Sequence, residues 1–238
     1  REHKAKETAP GGLKPTSKYS LKKEEDRVRV IAHLSEPMDR FLLRDVDLLR
    51  PYIDDSMRQG VLVRLDEAIL LGDGTGENLK GLGSDSERQQ MVWQEDLFRT
   101  TRQAVTLLED LEIYTGVFVL SPGTWEELEL MQTSMGDFYL GGPVDRAERK
   151  LWNRPVVVTA ALNSASDRGF FIDFAGSTEL VEADGVEVDW SENVFDPAAL
   201  EGDGASDFEL NQIRFRAAAR YGLKHTRPRG TIEFPTTA

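Results

Sequence analysis

The sequence predicts an α+β fold in which one long helix lies against short strands, with a basic, strand-patterned segment set apart at the amino end. Apolar residues recur at helical spacing over 47–71, the longest such run in the chain. β-branched and aromatic runs bounded by turn residues fill the second half, at 117–120, 156–159, 170–174, 179–188 and 231–234. Lys4, Lys6, Lys14, Lys18, Lys22, Lys23, Arg27 and Arg29 crowd the first thirty positions of a chain whose formal net charge is -13.

Residues 1–34 read as a long two-stranded hairpin, one strand before Pro10 and one from about residue 18 to 34. Pro10-Gly11-Gly12 and Lys14-Pro15-Thr16-Ser17 supply the turn chemistry, and apolar alternation resumes at Tyr19, Leu21, Val28 and Val30. A lone hairpin is marginal in water. Its tip has no obvious apolar partner in its own domain, which points to a neighbouring subunit. The basic run is either a solvated face or an intermolecular electrostatic contact. The chain opens on Arg1 with neither an initiator Met nor a signal-peptide pattern, and reads as the remainder of something longer.

Over 47–71 the apolar positions are Leu49, Tyr52, Ile53, Met57, Val61, Leu65, Ala68 and Ile69. Asp45 or Asp47 can cap the start, and Pro51 is tolerable only in the opening turn. Such a helix is about 30 Å long, either the spine of a flattened subunit or an ordinary core helix. Gly72-Asp73-Gly74-Thr75-Gly76 then stops it, because alternating glycines permit positive φ and a sharp reversal. A phosphate cradle needs a strand before the glycines and a helix after them, and here the order is inverted. The Walker pattern fails because Lys80 precedes Gly81 instead of Ser or Thr, and the Asp/Asn ladder of a calcium loop is missing.

A second helix is expected over 94–112, with Leu97, Ala104, Val105, Leu107, Leu108 and Leu111 inward, and a short buried strand at 117–120. Ser121-Pro122 opens a third helix with Trp125, Leu128 and Met131 on its inner stripe and Glu126, Glu127 and Glu129 toward solvent. A glycine-rich loop with Phe138 and Tyr139 spans 136–143. Residues 191–206 are an acidic excursion whose Asp196, Glu201 and Asp203 need solvent or a basic partner. Periodicity leaves 208–221 open between strand and helix, with strand preferred.

A chain of 238 residues, 39% hydrophobic, can bury one good core or two modest ones, so one or two subdomains are expected. No apolar stretch is long enough to span a bilayer. Zero cysteines exclude disulfides, thiolate metal sites and a cysteine nucleophile together. With 42 acidic against 29 basic residues, phosphate-tracking nucleic-acid binding lacks its basic stripe. His3, His33 and His225 stand in separate segments without metal-ligand spacing, and Ser121 and Ser134 lack the nucleophile elbow. The pairs Asp54-Asp55 and Glu126-Glu127 fall on expected helix surfaces. Nothing positively supports an enzyme or a cofactor; a carboxylate-dependent hydrolase, built from acids converging in space, is the alternative of a different class.

Leu13-Lys14-Pro15, Ile31-Ala32-His33, the helix ending in Gly72-Asp73-Gly74-Thr75-Gly76, Leu79-Lys80-Gly81-Leu82, Leu120-Ser121-Pro122, Trp125, Tyr139, Gly141-Gly142-Pro143, Leu151-Trp152, Pro155-Val156-Val157 and Arg227-Pro228 follow one another in a shared order and spacing. Across nearly the whole chain, this set resembles the major capsid proteins of tailed bacteriophages, with the Hong Kong 97 type fold. The resemblance implies a structural protein that self-assembles, through pentamers and hexamers, into the icosahedral shell of a virion in the bacterial host cytoplasm. It implies portal, scaffolding and decoration proteins as candidate partners, packaged DNA enclosed without sequence-specific binding, and no membrane or cofactor.

By the same resemblance, residues 1–34 are an extended loop lying over an adjacent subunit. Residues 35–81 and 184–219 form a peripheral domain with its spine helix at about 47–71, and 82–183 and 220–238 an axial domain. Lys14, Lys18, Lys22, Lys23 and Arg27 on the extended loop become assembly candidates, as do Gly141 and Gly142 in a loop facing a local symmetry axis. Some members of the family join subunits by an isopeptide bond between a loop lysine and an asparagine, assisted by a buried glutamate. Lys23 and Asn211 take the first two places, but Ala218 stands where the glutamate is expected. Without a carboxylate to accept the lysine proton, amine attack on an amide is very slow, so no crosslink is expected. An encapsulin-like compartment shares the fold and is the nearer alternative.

Overall fold

Helices packed on sheets form two layers in this protein, and a glycine turn joins them. The computed structural model describes residues 4–17, 26–45, 49–140, 142, 148–165, 167–197 and 204–237. Strands β1 (Arg29–Leu34) and β2 (Met38–Asp39) lead into helices α1 (Arg40–Asp45) and α2 (Leu49–Leu71). Then come β3 (Gln89–Gln90), α3 (Leu97–Glu109), β4 (Val117–Leu120), α4 (Pro122–Leu130), β5 (Lys150–Leu151) and β6 (Arg154–Val158). The chain closes with β7 (Arg168–Ile172), α5 (Phe174–Ser177), β8 (Thr178–Ser191), β9 (Phe195–Asp196), β10 (Ala205–Ser206), β11 (Gln212–His225) and β12 (Thr231–Pro235).

In the first layer α2 lies on the sheet centred on β11. Ile53, Met57, Val61, Leu65 and Ala68 bury one helix stripe against Ile213, Phe215, Ala217, Ala219 and Tyr221, the alternate residues of β11. Tyr52, expected inward, points to solvent. Only its neighbour Ile53 is in register with Met57, Val61 and Leu65 at four-residue steps. Pro51 sits in the first turn as expected, whereas Asp45 ends α1 and does not cap α2, and Asp47 lies outside the described residues. β8 pairs with β11 along one edge, and β1 and β2 along the other, all antiparallel. The region 208–221 is strand, but its start is later: residues 207–211 turn, with Asn211 at φ 55° and Phe208 exposed, and the strand continues to His225.

The amino-terminal hairpin is corrected. Residues 4–17 contain no strand; Gly12 N–H donates to Ala9 O at 2.9 Å in a turn where the tip was expected, and residues 18–25 lie outside the described part. Among the described residues the second strand is β1, which pairs with β11. Its reason is burial: Ile31 packs on the α2 core, and His33 Nε2 lies 2.9 Å from Met57 O on that helix. A free hairpin has no such face to cover.

The second layer is a six-stranded sheet in the order β3-β12-β7-β4-β6-β5, mixed because β3 with β12 and β4 with β6 run parallel. α3 and α4 cover one face through Leu97, Val105, Leu108, Trp125 and Leu128 against Phe118, Phe171 and Phe234. Asp96 starts α3 later than expected by accepting the Arg99 N–H at 2.6 Å. Ser121 caps α4 ahead of Pro122 as expected, while Glu129 is drawn back to accept the Trp125 indole N–H at 2.7 Å. Phe174 opens α5 and does not extend the strand before it.

The glycine turn after α2 is where the layers meet. Gly74 and Gly76 take φ of 70° and 56°, as their spacing predicts. Gly72 is needed for another reason: a methyl there would stand 2.3 Å from Leu79 O and 2.5 Å from Ala68 O. Asp73 organises the turn, accepting from Thr75 N–H at 3.0 Å, Thr75 Oγ1 at 2.6 Å and Asn78 Nδ2 at 2.8 Å. Those donors, the Thr75 hydroxyl foremost, lower its carboxyl to about 2. Below the turn Leu70, Leu82, Val119, Leu162, Phe170, Ile172 and Leu223 form a third apolar cluster spanning both layers.

Gly72→Ala should therefore lower the urea midpoint of the subunit far more than Gly76→Ala, which meets nothing within 4 Å and pays only the left-handed φ, roughly 1–2 kcal/mol. Equal losses would remove the close approach as the cause. The Asp73 contribution is fully present above the unfolded carboxyl value of about 3.9 and is lost as pH falls through about 2. A carbon-13 titration of the Asp73 carboxyl should find its midpoint near that lower value, and Thr75→Val should move it upward.

Candidate functional site

Among the described residues three carboxylates are buried, Asp85, Asp173 and Asp207, and each is already engaged in holding the fold. Burial pushes the Asp85 carboxyl up, but the Glu87 N–H, the Lys80 ammonium at 2.9 Å and His225 outweigh it and hold it below its ordinary value. His225 Nδ1 stands 3.4 Å from Asp85 Oδ2, so this group ties the glycine turn to the end of β11. Asp173 accepts from Thr115 Oγ1 at 2.7 Å and Ser177 Oγ at 3.2 Å. Asp207 accepts Arg214 Nε at 2.9 Å, and the two carboxylates Asp207 and Asp196 raise the Arg214 guanidinium above its ordinary value. Asp196 thus has the basic partner its sequence demanded, while Glu201 and Asp203 lie outside the described residues. Among the described residues no group of histidines and acids is placed to hold a metal, and no helix is long and apolar enough to cross a membrane.

The candidates at the amino end are spread out. Lys14 is exposed beside Leu13, which is 97% exposed. Lys18, Lys22, Lys23 and Gly141 lie outside the described residues. Arg27 donates to Glu77 Oε1 at 2.7 Å and Gly76 O at 3.3 Å, fastening the amino segment to the glycine turn. Gly142 takes φ 77°, and a methyl there would meet the Phe138 ring at 2.9 Å, so the loop folds back on its own aromatic residue.

Asn211 and Ala218 are not brought together within the chain. Asn211 closes the turn before β11, its carbonyl accepting the Arg40 N–H at 3.0 Å. Ala218 lies mid-strand, opposite Ala32 of β1 and Glu187 of β8. Seven residues of extended chain separate them by about 23 Å.

Sequence reasoning missed two surfaces. On the face of β11 away from α2, Arg216, Arg220 and Lys224 pair with Asp189, Asp184 and Glu179 of β8 at 2.8, 3.0 and 3.1 Å. The basic residues at every fourth position of β11, Arg216, Arg220 and Lys224, against acids in β8 were its signal. A groove of about 640 Å³ runs between α3, Tyr139 and Trp152, with Phe98, Arg99 and Arg102 on its walls. Trp152 and Asn153 both take positive φ, 53° and 60°, in a two-residue turn between β5 and β6. Asn153 between two apolar runs was the available hint. A second cleft, about 440 Å³, opens between β1, α2 and the glycine turn, with Arg29, Arg64 and Asp73 on its walls.

Comparison with known proteins agrees with this geometry. The family model described as the phage capsid family matches residues 4–232. The major capsid protein of Enterobacteria phage HK97 is 25% identical over 232 residues, covering 94% of this chain. The chain spans 56% of that relative's length. Among solved structures, one from Mycobacterium phage Bobi superposes with a TM-score of 0.69 at 15% identity, covering 96% of this chain and 78% of the other. The capsid of an empty GTA particle gives 0.68 at 14% identity, covering 89% and 74%, and a structure from Gordonia phage Cozz gives 0.67 at 11%, covering 94% and 78%. These similarities make the fold the Hong Kong 97 type, and with almost its full length matched, the chain belongs to the phage capsid family.

Proposed function

We propose that this chain is a major capsid protein, a tile that self-assembles through pentamers and hexamers into the icosahedral shell enclosing phage DNA. The observation that carries this reading is surface. The chain presents 15559 Å², whereas a compact monomer of 26.7 kDa presents roughly 10,700 Å². The exposed side chains include Leu13, Tyr52, Val92, Met135, Phe195 and Phe208, all more than 60% exposed. An extended subunit with this much surface suits several separate contacts better than one binding pocket.

The α2–β11 layer, with β1 in it, is the proposed peripheral domain, the six-stranded layer the axial domain, and the residues before β1 the extended loop over a neighbour. Two cores joined by a third support that division. The work of the protein is then geometric, with no catalytic step. Several moderate interfaces, summed and closed by rotation, make a stable shell from contacts that are individually weak. The acidic body faces packaged DNA without gripping it, and the basic loop meets acidic neighbours. Portal, scaffolding and decoration proteins are the expected partners, and the bacterial cytoplasm the place of assembly.

Negative-stain microscopy of the purified full-length product should show closed shells, and boiling detergent should release single subunits; a ladder of covalent multimers would refute the uncrosslinked site at Lys23, Asn211 and Ala218. Reversing Lys18, Lys22 and Lys23 to Glu should lower shell yield roughly tenfold or more, since like-charge contacts across an interface disfavour it by several kcal/mol. Unchanged yield by sedimentation would remove the basic loop from assembly.

A further inference from the structure

The amino segment joins the body at a knot of charged residues just before β1. Asp26 Oδ1 accepts the Arg27 N–H at 2.8 Å and Arg29 Nη1 at 2.9 Å, and the same Nη1 donates to Arg27 O at 2.5 Å. The Arg29 side chain is only 10% exposed, and its backbone opens β1 opposite Tyr221 of β11. A largely buried guanidinium at the end of a paired strand thus draws residues 26 and 27 back onto the start of β1. Charge-assisted bonds shielded from water are the stronger kind, so this bend is fixed from within the sheet.

The bend leaves the Arg27 side chain free to reach the glycine turn, where Nη2 donates to Glu77 Oε1 at 2.7 Å and to Gly76 O at 3.3 Å. Those acceptors stand on a stiff platform. Asn78 N–H donates to Thr75 O at 2.9 Å, and Asp73 ties down the side chains of both Thr75 and Asn78. The basic charges of the segment therefore divide in two. Among the described residues Lys6 and Lys14 make no ion pair, whereas Arg27 and Arg29 are committed within their own chain.

We propose that Arg27 and Glu77 are a positioning pair for assembly: acting inside one subunit, they hold the segment before β1 in the posture from which it meets a neighbour, and Arg27 does not itself touch that neighbour. This deepens the shell reading and rests on it. Both side chains are exposed, 64% and 78%, and an exposed pair biases a two-posture equilibrium by no more than about fivefold. The apparent affinity of a subunit for its neighbour falls by the fraction that is competent to bind. Each contact of a closing ring carries that factor again, so a modest bias in one subunit becomes a large one in assembly.

In the full-length product, R27E and E77R should each slow shell formation roughly tenfold or more at equal protein concentration, followed by light scattering. The charge-swapped R27E/E77R should return it to within about threefold of the parent, since the two changes are coupled through one contact. Circular dichroism and the urea midpoint should stay at parental values in all three variants, because both side chains are exposed. A cation used on the neighbour instead would make R27E slow, leave E77R at the parental rate and leave the double variant as slow as R27E. E77R at the parental rate, or a double variant that is not restored, therefore overturns the pair while leaving the shell reading intact. A slowed variant whose urea midpoint falls with it has a folding defect and overturns the pair too. A parent chain that stays monomeric removes both readings.

Discussion

The close approach of Gly72 to Leu79 and Gly81 is the constraint on which the arrangement of the two layers depends. α2 ends there, its last buried residue Leu70 enters the shared cluster with Phe170, Ile172 and Leu223, and the Gly81 N–H donates to Gly72 O at 2.8 Å. A side chain at Gly72 would part the turn from the helix end. Lys80 then would not reach Asp85, nor Asp85 the end of β11 at His225. Because Asp85 is buried, losing Lys80 would leave a poorly compensated charge, which is more destabilising than the pair itself is stabilising. Arg27 on Glu77 places the amino segment on the same turn. Spine helix, both sheets and the basic segment therefore take their relative positions from about ten residues.

Periodicity made the three longer helices legible. The four-residue steps from Ile53 to Leu65 marked α2, and Ser121-Pro122 marked the start of α4. Over 208–221 periodicity left strand and helix open, and the alternation Ile213, Phe215, Ala217, Ala219, Tyr221 is decided by the α2 stripe it packs against. What failed depended on partners distant in sequence. β1 carries Val30, Ile31, Ala32 and Leu34, but nothing local announces which sheet it joins; Ile31 reaches the α2 core, and Gly60 leaves room for the His33 ring, which a methyl would meet at 2.9 Å. The Trp152–Asn153 turn hides a bulky residue at a position where sequence rules expect Asn or Gly. The glycine turn was recognised as a stop, but the need for Gly72 lies in contacts to Ala68 and Leu79 that no local pattern records.

β8 shows how the chain controls its exposed edges. A 14-residue strand paired on one side only is a template for indiscriminate pairing. Glu179, Glu182, Asp184, Glu187 and Asp189 load it with one sign of charge, and three of these are matched by cations of β11. Each exposed pair is worth at most about 1 kcal/mol, so the ladder adds little to stability. Its consequence is selective: two β8 edges brought together set acid against acid, while a basic segment is admitted.

The same charge balance governs how copies of this chain meet. With a net charge of -13, two subunits repel once they come within a Debye length, about 8 Å in physiological salt. Beyond that range no orientation is favoured, and inside it only faces that bury apolar side chains or oppose unlike charges hold. In the proposed shell, exposed side chains such as Leu13 and Tyr52 are available for the first kind, and the basic amino segment against acidic strands for the second. Weak contacts made without a covalent bond can be broken and remade until a geometry closes, and closure then multiplies them, so a strongly acidic tile would assemble accurately because its net charge penalises every contact that lacks such a match.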